Sequence, residues 1–243
     1  MESNVIKRRL TAFIGCFVGC TADNIKKLAE AFPLSYVFAD RQEDGLRPIS
    51  EARANAKARR WEVKTEKGHG GSSIIFGGTG DGKGRVDVVT QVLLKKGVDE
   101  TVEMAEVLRR AFGALGIDKI WRIAYNPLTA VDDSDTFSTD EFFRRKFGMP
   151  KIDGMSPSLQ EMRVLYTLDK QFAGRADSVN IVCTLCKGIK INDKTNERTL
   201  CTMFNVDMST RAEENGEYSI DDMKAFAKAA SEWKRETIKA TVE

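Results

Sequence analysis

The sequence from Trp61 to Lys96, WEVKTEKGHGGSSIIFGGTGDGKGRVDVVTQVLLKK, decides between two folds. Its middle, Gly77-Gly78-Thr79-Gly80-Asp81-Gly82-Lys83-Gly84, meets seven of the eight positions of G-x-x-x-x-G-K-[ST]. A phosphate loop of that kind joins a strand to a helix, and Ile74, Ile75 and Phe76 supply the strand. Gly84 stands where a magnesium-binding hydroxyl belongs, and Asp81 places a negative charge where phosphates would sit. The continuation reads two ways. Val86, Val88 and Thr90 alternate as a strand does, whereas Val88, Val89, Val92 and Leu93 fit one face of a helix. The β-branched valines favour the strand. The segment is then a hairpin whose glycines supply positive φ in its turn. In both readings glycine N–H groups, Lys83 and Arg85 favour an anion close by.

The residues before this stretch are basic. Ser50 to Trp61, SEARANAKARRW, is alanine-rich and predicts a helix capped by Ser50. Arg53, Lys57 and Arg60 recur at steps of three and four along it, with Arg59 adjacent. The same charges also suit a plain solvated helix face. A second cluster follows Ser138-Thr139-Asp140-Glu141, which has the form of a capping box. There Arg144, Arg145 and Lys146 lie between Phe142, Phe143 and Phe147. Basic residues interleaved with aromatics can hold single-stranded nucleic acid by charge and stacking. A helix with rings inside and charges outside would look alike. Lys7-Arg8-Arg9 forms a further cluster.

Composition narrows the class. The chain has 243 residues, 42% hydrophobic and 30% charged, as ordinary globular proteins do. A net charge of +2 creates no global field for a polyanion, so local clusters must act. Five cysteines at irregular spacings point to free thiols in the cytoplasm or another reducing compartment. No apolar run is long enough to span a membrane, and no membrane partner is expected. Lys7-Arg8-Arg9 followed by Leu10 to Cys20 has the outline of a secretory signal, but a buried N-terminal element is the favoured reading.

Catalytic and metal signals are sparse. Cys183-x-x-Cys186 is followed by Cys201, but a closed zinc site needs a fourth ligand, and His69 is the only histidine. A strand would point Cys183 and Cys186 to opposite faces, which suits structural thiols better than a redox pair. No H-E-x-x-H or EF-hand pattern occurs. No catalytic residue, cofactor or metal is therefore assigned.

The remaining elements follow from periodicity and caps. Thr21 caps a helix that Pro33 stops; Leu34–Ala39 reads as a strand; a helix starts at Asp99 or Thr101 and runs to about Leu115, stopped by Gly116. A strand over 117–125 is expected to end at Asn126-Pro127. Ser156-Pro157 opens a predicted helix burying Leu159, Met162, Leu165, Tyr166 and Phe172. Residues 179–191 pair with 198–208 as a hairpin, and a helix over 220–239 follows. No internal repeat is visible. The expected class is α+β: about six helices with short antiparallel strands, allowing two lobes, 1–150 and 151–243, divided near Gly148–Gly154. The expected function is a non-enzymatic structural protein binding RNA or single-stranded DNA, self-associating as a coat or nucleocapsid subunit would. Its phosphate contacts would be Arg53, Lys57, Arg59, Arg60, Lys83, Arg85, Arg144, Arg145 and Lys146. Two alternatives stay open: a nucleotide- or phosphate-ligand enzyme using residues 77–84, and a protein-interaction scaffold.

Overall fold

A computed structural model describes residues 3–32, 34–39, 47–48, 57–65, 72–91, 100–134, 137–147, 161–191, 195–211 and 217–242. The strands are β1 (Ser3–Ile14), β2 (Leu34–Ala39), β3 (Arg47–Pro48), β4 (Arg60–Thr65), β5 (Ser73–Gly78), β6 (Gly84–Gln91), β7 (Ile120–Asp132), β8 (Glu161–Phe172), β9 (Arg175–Ile191) and β10 (Arg198–Thr210). The helices are α1 (Ala22–Ala31), α2 (Glu100–Leu115), α3 (Thr139–Phe147) and α4 (Ile220–Val242). All ten strands form one antiparallel sheet in the order β3-β2-β4-β5-β6-β1-β7-β10-β9-β8.

This overturns the expectation of about six helices with short strands. Among the described residues there are four helices, and β9 alone is 17 residues long. The predicted helix through Met162, Leu165 and Tyr166 is the strand β8. Its apolar residues satisfy a period of two as well as of 3.6, and pairing with β9 along its whole length selects the strand. Arg60 and Trp61 likewise start β4 rather than ending a helix; 50–56 lie outside the described residues. The strand expected to stop at Asn126-Pro127 runs on to Asp132. Pro127 is tolerated because the β7–β10 pairing is interrupted there, between Asn205–Leu128 and Met208–Tyr125, with the register kept. The division proposed at Gly148–Gly154 lies outside the described residues; β7 and β10, from either side of it, pair in one sheet.

The sheet contains a topological repeat. Strand, helix, three-strand meander and helix occur as β1-α1-β4-β5-β6-α2 and again as β7-α3-β8-β9-β10-α4, the first copy adding β2 and β3. Outward from the centre the order is β1, β6, β5, β4 on one side and β7, β10, β9, β8 on the other. β1 and β7 pair antiparallel, as a two-fold relation between the halves requires.

One face of the sheet carries the core. Leu10, Ala12 and Ile14 on β1, Val86 and Val88 on β6, and Phe204, Val206 and Met208 on β10 are buried there. α2 packs on β1 and β6, α4 packs on β7, β8 and β10, and the two helices touch each other. Trp61 stacks on its cross-strand partner Phe76 at 4.3 Å and donates from Nε1 to the Val18 carbonyl at 2.7 Å. α3 is tied down by Thr139, which donates its backbone N–H to Asp133 at 2.9 Å, and by Thr202, whose hydroxyl donates to that of Thr139 at 3.0 Å.

Candidate nucleic-acid interface

The described helices pack on the core face of the sheet; on the other face, Arg60, Arg85, Phe13 and Arg122 are at least partly exposed, whereas Thr11, Ile75, Asp87, Val89 and Ala124 are buried. Side chains alternate along a strand, so the partners of each core residue point here. Register gives the rows. Arg60 lies opposite Gly77, Gly77 opposite Arg85, Arg85 opposite Phe13, and Phe13 opposite Arg122. With strands ~4.8 Å apart, the row crosses five strands in about 19 Å. Gly77 contributes no side chain, and Arg85 leans over it, with Cγ and Nε 3.7 Å from where a Cβ would stand.

Contacts join this row to the glycine-rich turn. The Arg122 guanidinium lies 5.0 Å from the Phe13 ring centre and donates to Ser209 Oγ at 2.8 Å. Phe13 meets Trp121 at 5.4 Å. Lys83 Nζ sits 4.7 Å above the Trp121 ring. Trp121 is fixed by a 3.2 Å hydrogen bond from Nε1 to the Ile14 carbonyl. The result is an alternation of cation and ring: Lys83, Trp121, Phe13, Arg122. Such contacts are individually worth ~0.5–1 kcal/mol at exposed sites and hold the cations in place.

The turn itself is a hairpin. Thr79 N–H donates to the Lys83 carbonyl at 2.8 Å, Gly82 has φ +80°, and β6 follows. The strand–loop–helix context of a phosphate loop is absent. The Lys83 N–H is directed to Asp81 Oδ1 at 3.3 Å, and Lys83 Nζ lies 3.3 Å from Asp81 Oδ2. The Thr79 hydroxyl, then the desolvation that opposes it, then Lys83 act on the Asp81 carboxyl, with the net effect of lowering its pKa. Gly84 is required for another reason: a Cβ there would lie 2.6 Å from the Cys16 carbonyl oxygen and 2.9 Å from Phe17 Cα. The Cys16–Phe17 chain therefore crosses directly over the base of this hairpin.

Several carboxylates interrupt the positive surface: Glu62 shares a face with Arg60 and a cross-strand row with Asp87, Asp81 sits against Lys83, and Asp207 and Asp169 lie toward β8. Asp87 has a side chain only 2% exposed, accepts from the Thr11 hydroxyl at 2.5 Å and pairs with Arg85 Nε at 3.2 Å. Asp207 is exposed, yet desolvation pushes its carboxyl above the usual range, while Arg122, Arg9 and Arg163 pull it back. Three guanidiniums thus act on this one carboxylate.

The structure divides the expected phosphate-binding residues. Arg60, Lys83 and Arg85 come together on the face opposite the helices. Arg59 and Lys57 are exposed just before β4. Arg144 and Arg145 belong to α3, whose Phe142 and Phe143 pack into the core on the opposite face, and Arg145 pairs with Glu141 at 2.8 Å. Lys146 is on that helix too, and Arg53 lies outside the described residues. The Lys7–Arg9 cluster splits, because Lys7 and Arg9 share a face with Phe13 while Arg8 shares one with Leu10. Arg9, Phe13, Trp121, Arg122 and Arg163 were not expected. Period two in β1, with Arg9, Thr11 and Phe13 alternating with Leu10, Ala12 and Ile14, was their available signal.

Cys183 and Cys186 do fall on opposite faces of β9, and burial pushes the Cys183 thiol up to about 11. Such a thiol is almost wholly protonated at neutral pH and a poor nucleophile or metal ligand. No described helix is long and apolar enough to cross a membrane. Comparison with protein-family models, curated proteins and solved structures returns no match to this chain.

Proposed function

We propose that the face of the sheet opposite the helices binds single-stranded nucleic acid, RNA or DNA, without catalysing a reaction on it. The observation that carries this reading is the contiguous row Arg60, Arg85 and Arg122, interleaved with Phe13 and Trp121 and extended by Lys83. Guanidiniums pair with phosphates, and rings offer stacking surfaces that tolerate any base. The row is perpendicular to the strands, so a bound chain would cross β4, β5, β6, β1 and β7. The nucleotide-enzyme alternative is less favoured, because the strand β6, not a helix, follows the glycine turn.

The test is binding of a labelled single strand as a function of salt. Three phosphate contacts predict a slope of about −2 in log affinity against log salt. Arg85→Ala with Arg122→Ala should weaken binding about tenfold or more and flatten the slope by ~0.7 for each phosphate no longer neutralised. Arg144→Ala with Arg145→Ala, on the other face, should change little. Asp207→Asn removes a negative charge from among three guanidiniums and should strengthen binding several-fold at neutral pH. That gain should close as pH falls through the raised Asp207 pKa, because the wild-type carboxyl is then neutral too. Equal losses from the α3 and sheet-face pairs, or no binding at low salt, would overturn the reading.

A further inference from the structure

The two edges of the sheet differ. One ends in β3, two residues long and containing Pro48, which is a blunted edge. The other ends in β8, twelve residues paired to β9 without a register shift and lacking both proline and glycine. Nothing among the described residues pairs with its outer side. An edge of this length presents a row of backbone donors and acceptors to any incoming strand. It also presents Leu165, which is 64% exposed.

We infer that β8 pairs antiparallel with β8 of a second copy of this chain, joining two sheets into one across a two-fold axis at Tyr166. Register singles out that axis. Arg163, Leu165, Thr167 and Asp169 point to the face opposite the helices and are exposed. With the axis at Tyr166, Arg163 stands opposite Asp169 of the second copy, twice by symmetry, and Leu165 stands opposite Thr167. Eleven residues, Glu161 to Gln171, are then paired. An axis at Leu165 instead sets Glu161 against Asp169, two like-charge pairs. An axis at Thr167 sets Leu165 against Asp169 and pairs no charges. Opposite charges directly across an antiparallel pair are favourable, and like charges are not. The chosen register also leaves Leu165 diagonal to its own copy, within reach of apolar contact. The basic row of Arg60, Arg85 and Arg122 lies on β4, β6 and β7, away from the β8 edge, but Arg163 also acts on Asp207, so Asp169→Arg, which leaves Arg163 in place, separates loss of pairing from loss of nucleic-acid binding.

The experiment is light scattering on eluted protein at tens of micromolar. Wild type should show twice the chain mass of 27.1 kDa. Arg163→Asp and Asp169→Arg, each alone, should give monomer, with affinity at least tenfold weaker. The two changes together should restore the dimer. Both positions are exposed, so far-UV circular dichroism should stay unchanged. Amide exchange gives a reading without variants: Glu161–Phe172 should exchange more slowly at high protein concentration than at low. A monomeric wild type, single reversals that leave a dimer intact, a double reversal that stays monomeric, or exchange in β8 indifferent to concentration would each overturn the pairing.

Discussion

The two halves of the sheet run the same course and end differently. From the centre outward, β6-β5-β4 answers β10-β9-β8. Beyond β4 the first half adds β2 and the short β3, while beyond β8 the second half adds nothing among the described residues. The halves also divide the face opposite the helices. The basic row starts on β4 and reaches only the first strand of the second half, at Arg122. The second half carries instead the mixed surface of Arg163, Leu165, Thr167 and Asp169. A repeated topology thus supports one surface made for charge and another whose edge is left open. Topology sets where a strand lies, and the residues on its outward positions set what it can meet.

The strongest way to break the comparison is to empty the core of one half. Trp61 is fully buried against Phe76. Trp61→Ala should cost about 3–5 kcal/mol, from reduced burial and the cavity left behind. Because β1 and β7 are paired throughout, the effect should appear in a single transition for the whole chain. Urea unfolding followed by fluorescence and by far-UV circular dichroism checks this. Coincident curves support one cooperative sheet. Two separated transitions would restore the two-lobe division at Gly148–Gly154.

A smaller effect sits where the halves meet. Lys234 of α4 faces Arg8 of β1, and burial, then Arg8 and Arg235, lower its amine to about 8. The unfolded chain keeps that proton up to about 10.4. The unfolded state therefore binds more protons between these values, and stability should rise with pH across that window. Below about 8 the charged amine is a standing cost. Lys234→Met should stabilise the protein at pH 7 by about 1–2 kcal/mol, discounted for partial exposure, and the gain should vanish above pH 10. Thermal melts of both proteins from pH 6 to 10.5 would show it. A constant difference would mean that the amine is not desolvated.

What could be read in the sequence was local. Thr21 caps α1 by accepting from Asn24 N–H at 3.1 Å, Gly116 ends α2 with φ +68°, and β9 folds back on β10 as its alternation implies. What could not be read was lateral. β8 carries apolar residues at both helical and strand spacings, and only its partner β9 decides. The basic row draws Arg60, Arg85 and Arg122 from three strands far apart in sequence. No window along the chain contains it. Charges that are neighbours in sequence, Lys7-Arg8-Arg9, are by contrast divided between faces by the pleat.

The smallest prediction tests the hairpins. Gly82 in the β5–β6 turn has φ +80°, and Asn196 in the corresponding β9–β10 turn has φ +55°. Both residue types accept the left-handed region, glycine for want of a Cβ and asparagine by local hydrogen bonding. The β8–β9 turn is less well served. Ala173 and Gly174 join Phe172 to Arg175 with φ of +49° and +75°, the pattern of a type I′ turn. Alanine has neither advantage, and the left-handed region costs such a residue ~1–2 kcal/mol. Asn-Gly is the preferred pair for this turn. Ala173→Asn should therefore recover part of that cost, about 0.5–1 kcal/mol, seen as a higher urea midpoint at unchanged slope. The same change in the β9–β10 turn, where asparagine already stands at 196, has nothing to recover, so the gain belongs to the β8 hairpin alone. A gain from Ala173→Asn would also brace the edge strand without altering its outward residues. If β8 pairs as inferred, the dimer should tighten or stay constant, whereas a weakened dimer would mean that this turn must flex for pairing to occur.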